Sequence, residues 1–508
     1  MNGSSSSPTQ YDLVVIGSGA AGHHGAIQAA KLGKEVLVVE QSSTFGGACI
    51  NTGTIPSKTL REAVVRLARL RPPSASSAEE RIPPQSLARR IEQVASNEAA
   101  VFEDQFRRNG VDAIFGKASF VEPHLIRVEN GESTHLFHTD RVLIATGTRP
   151  AHSEVIPVDG LSVLDTDAIR HLPSRRRVLT IVGGGVIGVE YACMAAALGI
   201  SVTLVERRPR ILDFVDFEIV EALTYQMRSL GVTFRLGEEV DQVLTSREGK
   251  VCAMLKSGKQ IWSDVLLYAV GREGNTDSLN LAACGLEADK RGRIPVNQNF
   301  QTSQAHIYAA GDVIGFPSLA SVSMEQGRVA ACHAFGESVI SVPELFPYGI
   351  YTIPEISFVG KTEEQLTTEG VPYEIGIAHY REIARGQIID DTTGLLKILF
   401  HRETRSLLGV HIVGEGATEL IHIGQAVLAF QGSIDFFVNT VFNYPTLAEC
   451  YKVAALNGVN RLNYASAPPP ITLPARFSFP VPATPRANSG LRPEFASTPV
   501  RGRDPQPL

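Results

Sequence analysis

No run of apolar residues in this chain reaches the roughly 18 that a membrane-spanning helix needs. The first ten residues, MNGSSSSPTQ, lack the basic start and the apolar stretch of a secretion signal. An excess of one charge is also missing, because 47 lysines and arginines face 53 acidic residues and the net charge is only −6. That balance disfavours nucleic acid and anionic membranes as partners. We therefore expect a soluble cytoplasmic protein.

Cysteine is scarce, with six residues in a chain of 508. The six are scattered, and none stands in a C-x-x-C or cysteine/histidine ligand spacing. The scatter excludes a small disulfide scaffold and predicts free thiols, and the missing spacing predicts no metal site. His23 and His24 are neighbours in a predicted helix and so point to different faces. We interpret them as surface residues or phosphate contacts rather than as a chelating pair.

The length exceeds what one hydrophobic core supports, so two to four domains are expected. With 44% hydrophobic and 20% charged residues, most of the chain can bury such cores. The two ends differ, because residues 1–10 are polar and residues 466–508 carry repeated prolines that support neither helices nor strands. Both ends are predicted to be disordered. A proline- and serine-rich patch over residues 71–85 predicts an exposed loop.

Two glycine-rich loops each follow an apolar run and open a helical stretch. Residues 17–22 read GSGAAG and residues 183–188 read GGGVIG. Glu40 and Glu206 end the next apolar run, each 23 residues after the first glycine of its loop. Such glycines let backbone N–H groups approach a pyrophosphate at a helix start, and the acid can accept ribose hydroxyls. The repetition predicts two dinucleotide sites in an α/β fold.

Three further segments carry a family resemblance. Residues 145–147 read ATG, residues 271–276 read GREGNT and residues 302–312 read TSQAHIYAAGD. With the two loops, they resemble the flavoprotein disulfide reductase family over roughly residues 11–465. The resemblance implies two Rossmann-like domains, the first for FAD and the second for NAD(P), and an α+β dimerisation domain that forms a homodimer. The implied bounds are 11–155 with 275–344 for the FAD domain, 156–274 for the NAD(P) domain and 345–465 for the dimerisation domain.

The resemblance also implies which residues hold the two nucleotides, with Asp312 on the ribityl chain of FAD. For FAD the residues are Gly17, Gly19, Gly22, Glu40, Gln41, Gly46, Gly47, Cys49, Lys58, Thr146, Gly147, Gly311 and Asp312. For NAD(P) they are Gly183, Gly185, Gly188, Glu206, Arg207, Arg208, Gly271 and Arg272.

The redox dithiol of that family is incomplete here. Residues 46–58 read GGACINTGTIPSK, with Cys49 at the first cysteine position and Thr54 at the second. A threonine hydroxyl cannot replace a thiolate, so this segment cannot form the disulfide. Residues 443–449 read NYPTLAE, with Tyr444 where disulfide reductases of the family carry a proton-shuttling histidine. A phenol with a pKa of about 10 is a poor shuttle at neutral pH.

These departures, with GTIPSK at 53–58 and GEGATELIHIG at 414–424, resemble one branch of the family, the soluble pyridine nucleotide transhydrogenases. The branch implies hydride transfer from NADPH to NAD⁺ through the flavin, which needs no thiol. It also implies that Lys58 lies beside the flavin and pairs with Glu190, tuning the flavin and placing the nicotinamide. The alternative for Lys58 is a place on a solvated helix face.

The end of the second strand in the NAD(P) unit offers groups for both nucleotides. Glu206 suits the free 2′-hydroxyl of NADH, and Arg207, Arg208 and Arg210 could reach the 2′-phosphate of NADPH. An interpretation of the arginines as solvated loop charges carries equal weight.

Two other functions stay open on the sequence. One is another flavin enzyme on the same scaffold, either a diaphorase or NADH oxidase, or a lipoamide-dehydrogenase-like enzyme with an unexpected thiol. The other is a non-catalytic flavin/NAD(H)-binding sensor whose proline-rich tail recruits a partner.

Overall fold

The computed structural model describes residues 9–70, 84–131, 133–168, 177–339 and 345–465. The predicted proline-rich tail and most of the predicted loop over 71–85 lie outside these ranges. At the amino end, the predicted disorder is wrong for Thr9 and Gln10, because they pair with Phe137 and His138 and belong to the first strand. The described residues up to Leu462 pack as one compact unit, and the unit Asn463–Leu508 is described only as far as Ala465.

The centre of the first sheet is built from apolar runs that are buried on both faces, as parallel strands covered by helices must be. Four strands run parallel in the order β3-β2-β1-β6, and β5 and β4 extend the sheet antiparallel. The strands are β1 Thr9–Ile16, β2 Val36–Glu40, β3 Asp112–Phe115, β4 Lys117–Glu122, β5 Leu125–Glu129 and β6 Thr134–Ile144. The helices are α1 Ala20–Lys31, α2 Gly47–Asn51, α3 Thr54–Leu70 and α4 Pro84–Arg108.

A second doubly covered sheet repeats the plan in the order β11-β10-β9-β15-β8, with all strands parallel. Its elements are β8 Val163–Asp165, β9 Val178–Val182, α5 Val186–Ala197, β10 Ser201–Glu206, α6 Phe217–Ser229, β11 Thr233–Leu236 and β15 Val265–Tyr268. A three-stranded antiparallel sheet lies between β11 and β15 in the chain, formed by β12 Val240–Thr245, β13 Val251–Leu255 and β14 Gln260–Ser263.

The chain enters and leaves this second unit along one short ribbon. Strand β7, Thr148–Pro150, pairs antiparallel with β16, Arg272–Gly274. After β16 the chain returns to the first sheet, where β17, Ile307–Ala309, adds parallel to β6, and α7, Ala320–Ala334, packs against α1. The first and second units are therefore joined by two adjacent crossings.

The last described part is an antiparallel sheet covered by helices, in the order β18-β19-β22-β21-β20. Its strands are β18 Tyr348–Ile350, β19 Ile356–Gly360, β20 Tyr373–His379, β21 Leu395–His401 and β22 Leu407–Val413. Its helices are α8 Glu363–Glu369, α9 Ala384–Ile388, α10 Ala417–Ala429, α11 Asp435–Asn439 and α12 Glu449–Ala465. This topology is the predicted fold class. Across the described ranges, no helix has both the length and the apolarity that crossing a bilayer requires.

Candidate functional site

The first glycine loop leads from β1 into α1 by a turn that only glycine permits. Gly17 has a φ of 102°, and a Cβ there would lie 2.5 Å from the carbonyl oxygen of Ala145. A Cβ on Gly22 would lie 1.9 Å from the carbonyl oxygen of Gly17. Gly19 is the N-cap of α1 and has no side chain with which to cap the helix. The backbone N–H groups of this helix start can therefore serve an anion.

A second glycine turn lies against the first. Gly46 and Gly47 have φ values of 103° and 55°, and a Cβ on Gly47 would lie 3.0 Å from the Cα of Gly19. The backbone N–H of Gly46 donates to Ser18 Oγ at 3.0 Å. The two turns thus form one cradle of close backbone, which fits a pyrophosphate.

Glu40 closes the outer end of this cradle. Its carboxylate is buried and accepts hydrogen bonds from Ser18 N and Oγ and from Ser42 N, at 3.0, 2.6 and 2.7 Å. A cavity of about 520 Å³ opens beside it. The predicted residue Gln41 lines this cavity, together with Ser42, Ser43, Phe115, Gly116 and Lys117.

The far end of the first unit collects the predicted FAD residues Thr146, Gly147, Gly311 and Asp312 near the crossing ribbon. Burial raises the pKa of Asp312, against the opposing effects of Arg272 and of hydrogen bonds with Thr148 and Ser323. Thr146 Oγ1 is buried and has no hydrogen-bond partner among the described residues. An orphaned hydroxyl and a carboxylate at one end of the cradle suit a polar ligand chain.

The Thr54 side chain lies near enough to the Cys49 thiol to influence its pKa. Burial raises the pKa of the Cys49 thiol, although the contact with Thr54 opposes the shift. All six cysteines are free thiols. The described chain therefore holds no dithiol here, and Cys49 stays protonated at neutral pH.

Lys58 and Glu190 form an ion pair between α3 and α5. Lys58 Nζ lies 3.0 and 2.8 Å from the two carboxylate oxygens of Glu190, whose side chain is 4% exposed. The backbone N–H of Tyr351 donates to the same carboxylate at 2.8 Å. Lys58 Nζ also lies 4.8 Å from the centroid of the Tyr351 ring, within cation–π range. The lysine is 25% exposed, so the solvated-face alternative does not describe it.

Sequence reasoning missed Tyr351, which follows β18 and is distant in the chain from Lys58. It also missed Phe115 and Lys117. A signal for Phe115 existed in principle, because the parallel register of β2 and β3 places it beside Glu40. Tyr444 is exposed, and no hydrogen bond joins it to Cys49 or Lys58 within the part of the chain that is described.

The surface position predicted for His23 is wrong. His23 is 3% exposed rather than on the surface, and its ring stacks on Phe102 with centroids 3.9 Å apart. Neither ring nitrogen has a hydrogen-bond partner among the described residues. Burial lowers the pKa of His23 to about 4, with a smaller contribution from His24. The cause is α4, whose aromatic residues cover this side of α1.

The second glycine loop repeats the geometry of the first. Gly183 has a φ of 114°, and a Cβ there would lie 2.5 Å from the carbonyl oxygen of Ala269. A Cβ on Gly188 would lie 2.0 Å from the carbonyl oxygen of Gly183. Gly185 is the N-cap of α5, and a Cβ there would meet nothing within 4 Å. The space above this helix start is therefore open to a ligand.

Glu206 is buried at the end of β10, beside this loop. It accepts hydrogen bonds from the backbone N–H of Gly184 at 2.6 Å and of Arg208 at 2.8 Å. Burial acts to raise the pKa of Glu206, but Arg208 and these N–H groups outweigh it and hold the pKa below its ordinary value. Glu206 is thus a carboxylate at any pH near neutral.

The three predicted arginines have different surroundings. The guanidinium of Arg208 bonds Glu206 and Asp213. Arg210 donates to the backbone oxygen of Asp213 and lies over the ring of Phe217. Arg207 is exposed, and no ion pair joins it to another residue within the described ranges.

Gly271 and Arg272 belong to the crossing ribbon. Gly271 has a φ of 83°, and the Arg272 side chain donates to Thr148 Oγ1 and to the Thr148 carbonyl oxygen, both at 2.8 Å. Arg272 also lies 3.3 Å from Asp167. The arginine therefore ties the second unit to the first.

The chain matches two family models. Residues 11–327 match pyridine nucleotide-disulphide oxidoreductase, and residues 346–455 match the dimerisation domain of pyridine nucleotide-disulphide oxidoreductase. A soluble pyridine nucleotide transhydrogenase of Mycobacterium bovis is 52% identical over 460 residues, which cover 89% of this chain and 98% of the relative. One from Photobacterium profundum is 46% identical over 465 residues, covering 90% and 98%.

Solved structures share the fold. The HOCl-induced flavoprotein disulfide reductase RclA from Escherichia coli superposes with a TM-score of 0.80 at 27% identity, over 88% of this chain and 99% of that one. LpdA from Mycobacterium tuberculosis superposes with a TM-score of 0.81 at 26% identity, over the same shares.

Proposed function

Because the chain belongs to the pyridine nucleotide-disulphide oxidoreductase family, we infer that it is a soluble pyridine nucleotide transhydrogenase. It is an FAD-dependent oxidoreductase that transfers hydride between NADPH and NAD⁺, giving NADP⁺ and NADH. The observation that carries this function is that Thr54 occupies the position of the second thiol and that all six cysteines are free. The scaffold keeps both dinucleotide sites but has no second thiol at this position, so dithiol reduction is not available while hydride exchange between nucleotides is.

The residues of the first unit fit FAD. Its pyrophosphate would lie in the cradle of Gly17, Gly19, Gly22, Gly46 and Gly47. The remaining proposed contacts are Glu40 and Gln41 at the adenosine end and Cys49, Lys58, Thr146, Gly147, Gly311 and Asp312 towards the crossing ribbon. When bound, FAD supplies the hydride acceptor and donor that no side chain of a protein can supply.

Lys58 provides a fixed positive charge at the junction of the units. Glu190 holds it with both oxygens, and Tyr351 adds a backbone donor to the carboxylate and a ring face to the ammonium. The charge is therefore oriented before any nucleotide binds, and a preorganised charge stabilises negative charge that develops beside it at no further cost of reorganisation. We assign Lys58 and Glu190 to flavin tuning and nicotinamide placement.

The second unit holds the substrates. Gly183, Gly185 and Gly188 would receive the pyrophosphate of NAD(P)(H), and Gly271 and Arg272 would lie at the crossing. We assign Glu206 to the ribose hydroxyls of NAD(H). We assign Arg207 and Arg208 to the 2′-phosphate of NADP(H), because both follow Glu206 at the end of β10 and guanidinium groups pair well with phosphate.

The proposed organisation follows the three units. The FAD domain spans 11–155 and 275–344, the NAD(P) domain 156–274 and the dimerisation domain 345–465. The match of residues 346–455 to a dimerisation domain supports a homodimer. We place the enzyme in the cytoplasm, in line with its free thiols.

An anaerobic two-step reaction tests the function. The purified protein is mixed with NADPH while flavin absorbance is followed, and a spectrally distinct NAD⁺ analogue is then added. We expect the flavin to bleach and then to recover as the reduced analogue appears, with free FAD at equal concentration as the control. Reoxidation only by oxygen or a quinone would indicate the disfavoured diaphorase or oxidase. A folded protein that binds no FAD would contradict the proposed first site.

A further inference from the structure

The end of β10 carries an arginine held between two carboxylates. Arg208 donates through Nε and Nη2 to Glu206, at 3.0 Å each, and through Nη1 to Asp213 at 2.5 Å. The side chain of Glu206 is 8% exposed, whereas those of Arg208 and Asp213 are 38% and 46% exposed. Arg208 and Asp213 therefore lie at the solvent boundary, whereas Glu206 is enclosed by its neighbours.

Each carboxylate oxygen of Glu206 already accepts two hydrogen bonds. Oε2 accepts from the backbone N–H of Gly184 and from Arg208 Nη2, and Oε1 accepts from the backbone N–H of Arg208 and from its Nε. A carboxylate offers about four such positions. The two backbone donors are fixed by the loops. A ribose hydroxyl can therefore bond Glu206 only where the guanidinium of Arg208 withdraws.

We propose that Asp213 is a specificity residue that receives Arg208 when Glu206 binds the ribose of NAD(H). The proposal rests on the proposed function. With NAD(H), the guanidinium leaves Glu206 and stays paired on Asp213. With NADP(H), the 2′-phosphate recruits the same guanidinium, because arginine binds phosphate through paired, charge-assisted hydrogen bonds. Asp213 thus supports NAD(H) and competes with NADP(H).

The neighbouring arginines are less suited to this exchange. Arg210 is engaged by the backbone oxygen of Asp213 and the ring of Phe217, and its Nη1 lies 3.9 Å from Glu364. Arg207 has no carboxylate to leave within the described ranges, so it adds positive charge but cannot alternate. Arg208 is the arginine that both blocks Glu206 and has a second acid to receive it.

The variant Asp213→Asn tests the proposal in the FAD-loaded enzyme. Dissociation constants of NAD⁺ and NADP⁺ are measured by calorimetry. Arg208 should then remain on Glu206, so NAD⁺ binds more weakly and NADP⁺ more tightly. The ratio of the two constants should shift towards NADP⁺ by about fivefold, the scale of one partly exposed ion pair. Asp241→Asn removes the same charge from an exposed position on β12 and should leave the ratio unchanged.

A double variant distinguishes the movement of Arg208 between the two acids from a direct electrostatic effect of Asp213 on the nucleotides. With Arg208→Gln present, Asp213→Asn should no longer change the ratio. An unchanged ratio for Asp213→Asn alone would overturn the proposal. The same shift in the Arg208→Gln background would also overturn it, because Asp213 would then act without Arg208. If the unaltered enzyme binds both nucleotides but neither NADH nor NADPH reduces its flavin, the proposed function fails instead, so the two failures are distinguishable.

Discussion

Lys397 Nζ lies 2.9 Å from Asp216 Oδ1, and both side chains are wholly shielded from solvent. The pair joins β21 to the residue that caps α6, and Glu218 and Glu363 also contact the ammonium. Burial acts to lower the pKa of Lys397, but the three carboxylates outweigh it and hold the pKa above its ordinary value. The carboxylates lie close enough together to hold a metal ion, but the ammonium already lies among them. The NAD(P) unit is thereby bonded to the last sheet.

Replacing Lys397 should strongly destabilise the fold. We expect Lys397→Met to lower the free energy of unfolding by about 3–5 kcal/mol, because it leaves the wholly buried carboxylate of Asp216 without its cation. Lys361 pairs with Glu369 at the surface, so Lys361→Met should cost at most about 1 kcal/mol. Denaturant titration of both variants measures the difference. Equal losses would show that the buried pair stabilises the fold no more than the surface pair does.

His23 should make stability fall in mild acid. Its pKa is about 4 in the fold and about 6.5 when unfolded, so the unfolded chain binds the proton first as pH falls. The contribution is present above pH 6.5 and is lost between about pH 6.5 and 4, amounting to about 3 kcal/mol. His23→Phe keeps the stack on Phe102 and should flatten this slope. His152→Phe, at an exposed position, should not. Unfolding free energies across that range provide the measurement.

Thr54→Cys should restore a dithiol. The Thr54 side chain already contacts the Cys49 thiol, so a second thiol there would lie within reach of disulfide formation. Thiol titration of the denatured, oxidised variant should find two fewer thiols than after reduction. Thr44→Cys is the control, because the hydroxyl that it replaces bonds Asn51 and not Cys49. This variant should show no such difference between the two thiol counts. A full thiol count in oxidised Thr54→Cys would contradict the expectation.

Loss of the carboxylate that holds Lys58 should slow the transfer of hydride to the flavin. Glu190→Gln removes the carboxylate that Lys58 and the Tyr351 backbone share, and we expect flavin reduction by NADPH to slow by about 10²-fold. Tyr351→Phe keeps the ring and the backbone donor, whereas Tyr351→Leu loses the ring. Stopped-flow rates should therefore rank Tyr351→Phe above Tyr351→Leu and both above Glu190→Gln. Equal slowing of Tyr351→Phe and Tyr351→Leu would contradict a role for the ring and place the effect in the phenol hydroxyl.

Variants at the end of β10 should affect the use of NAD(H) and of NADP(H) differently. Glu206→Ala should weaken NAD(H) use more than NADP(H) use, because NAD(H) loses its ribose acceptor. Arg207→Gln should do the opposite, because the 2′-phosphate loses a cation. Values of kcat/KM for both nucleotides provide the comparison. Equal losses on the two nucleotides would refute the assignment of this strand end.

The glycine loops could be predicted because their chemistry is local. The turn at Gly17, the helix start at Gly19 and the acid at Glu40 follow from one strand–helix–strand stretch. The partner of Lys58 came instead from a family resemblance, since Glu190 is 132 positions away. The class of fold followed from the same local patterns repeated twice.

What the sequence could not provide depends on tertiary packing. Tyr351 reaches Lys58 only because the last sheet lies against α3 and α5. His23 was misjudged because the covering residue, Phe102, comes from α4, and no helical periodicity near His23 announces it. The pairing of Arg208 with Asp213 needed the conformation of the loop after β10, which sequence spacing alone does not fix.

The pairing of β7 with β16 makes the NAD(P) unit an inserted segment whose two ends lie side by side. Pro150 and Arg272 face each other in this pairing, so the unit begins and ends at neighbouring points of the chain. A segment with adjacent ends can be exchanged for another without rethreading the host. A replacement segment could therefore bring a different nucleotide preference, provided that it keeps the partners that Glu190 and Asp216 give to Lys58 and Lys397 outside this unit.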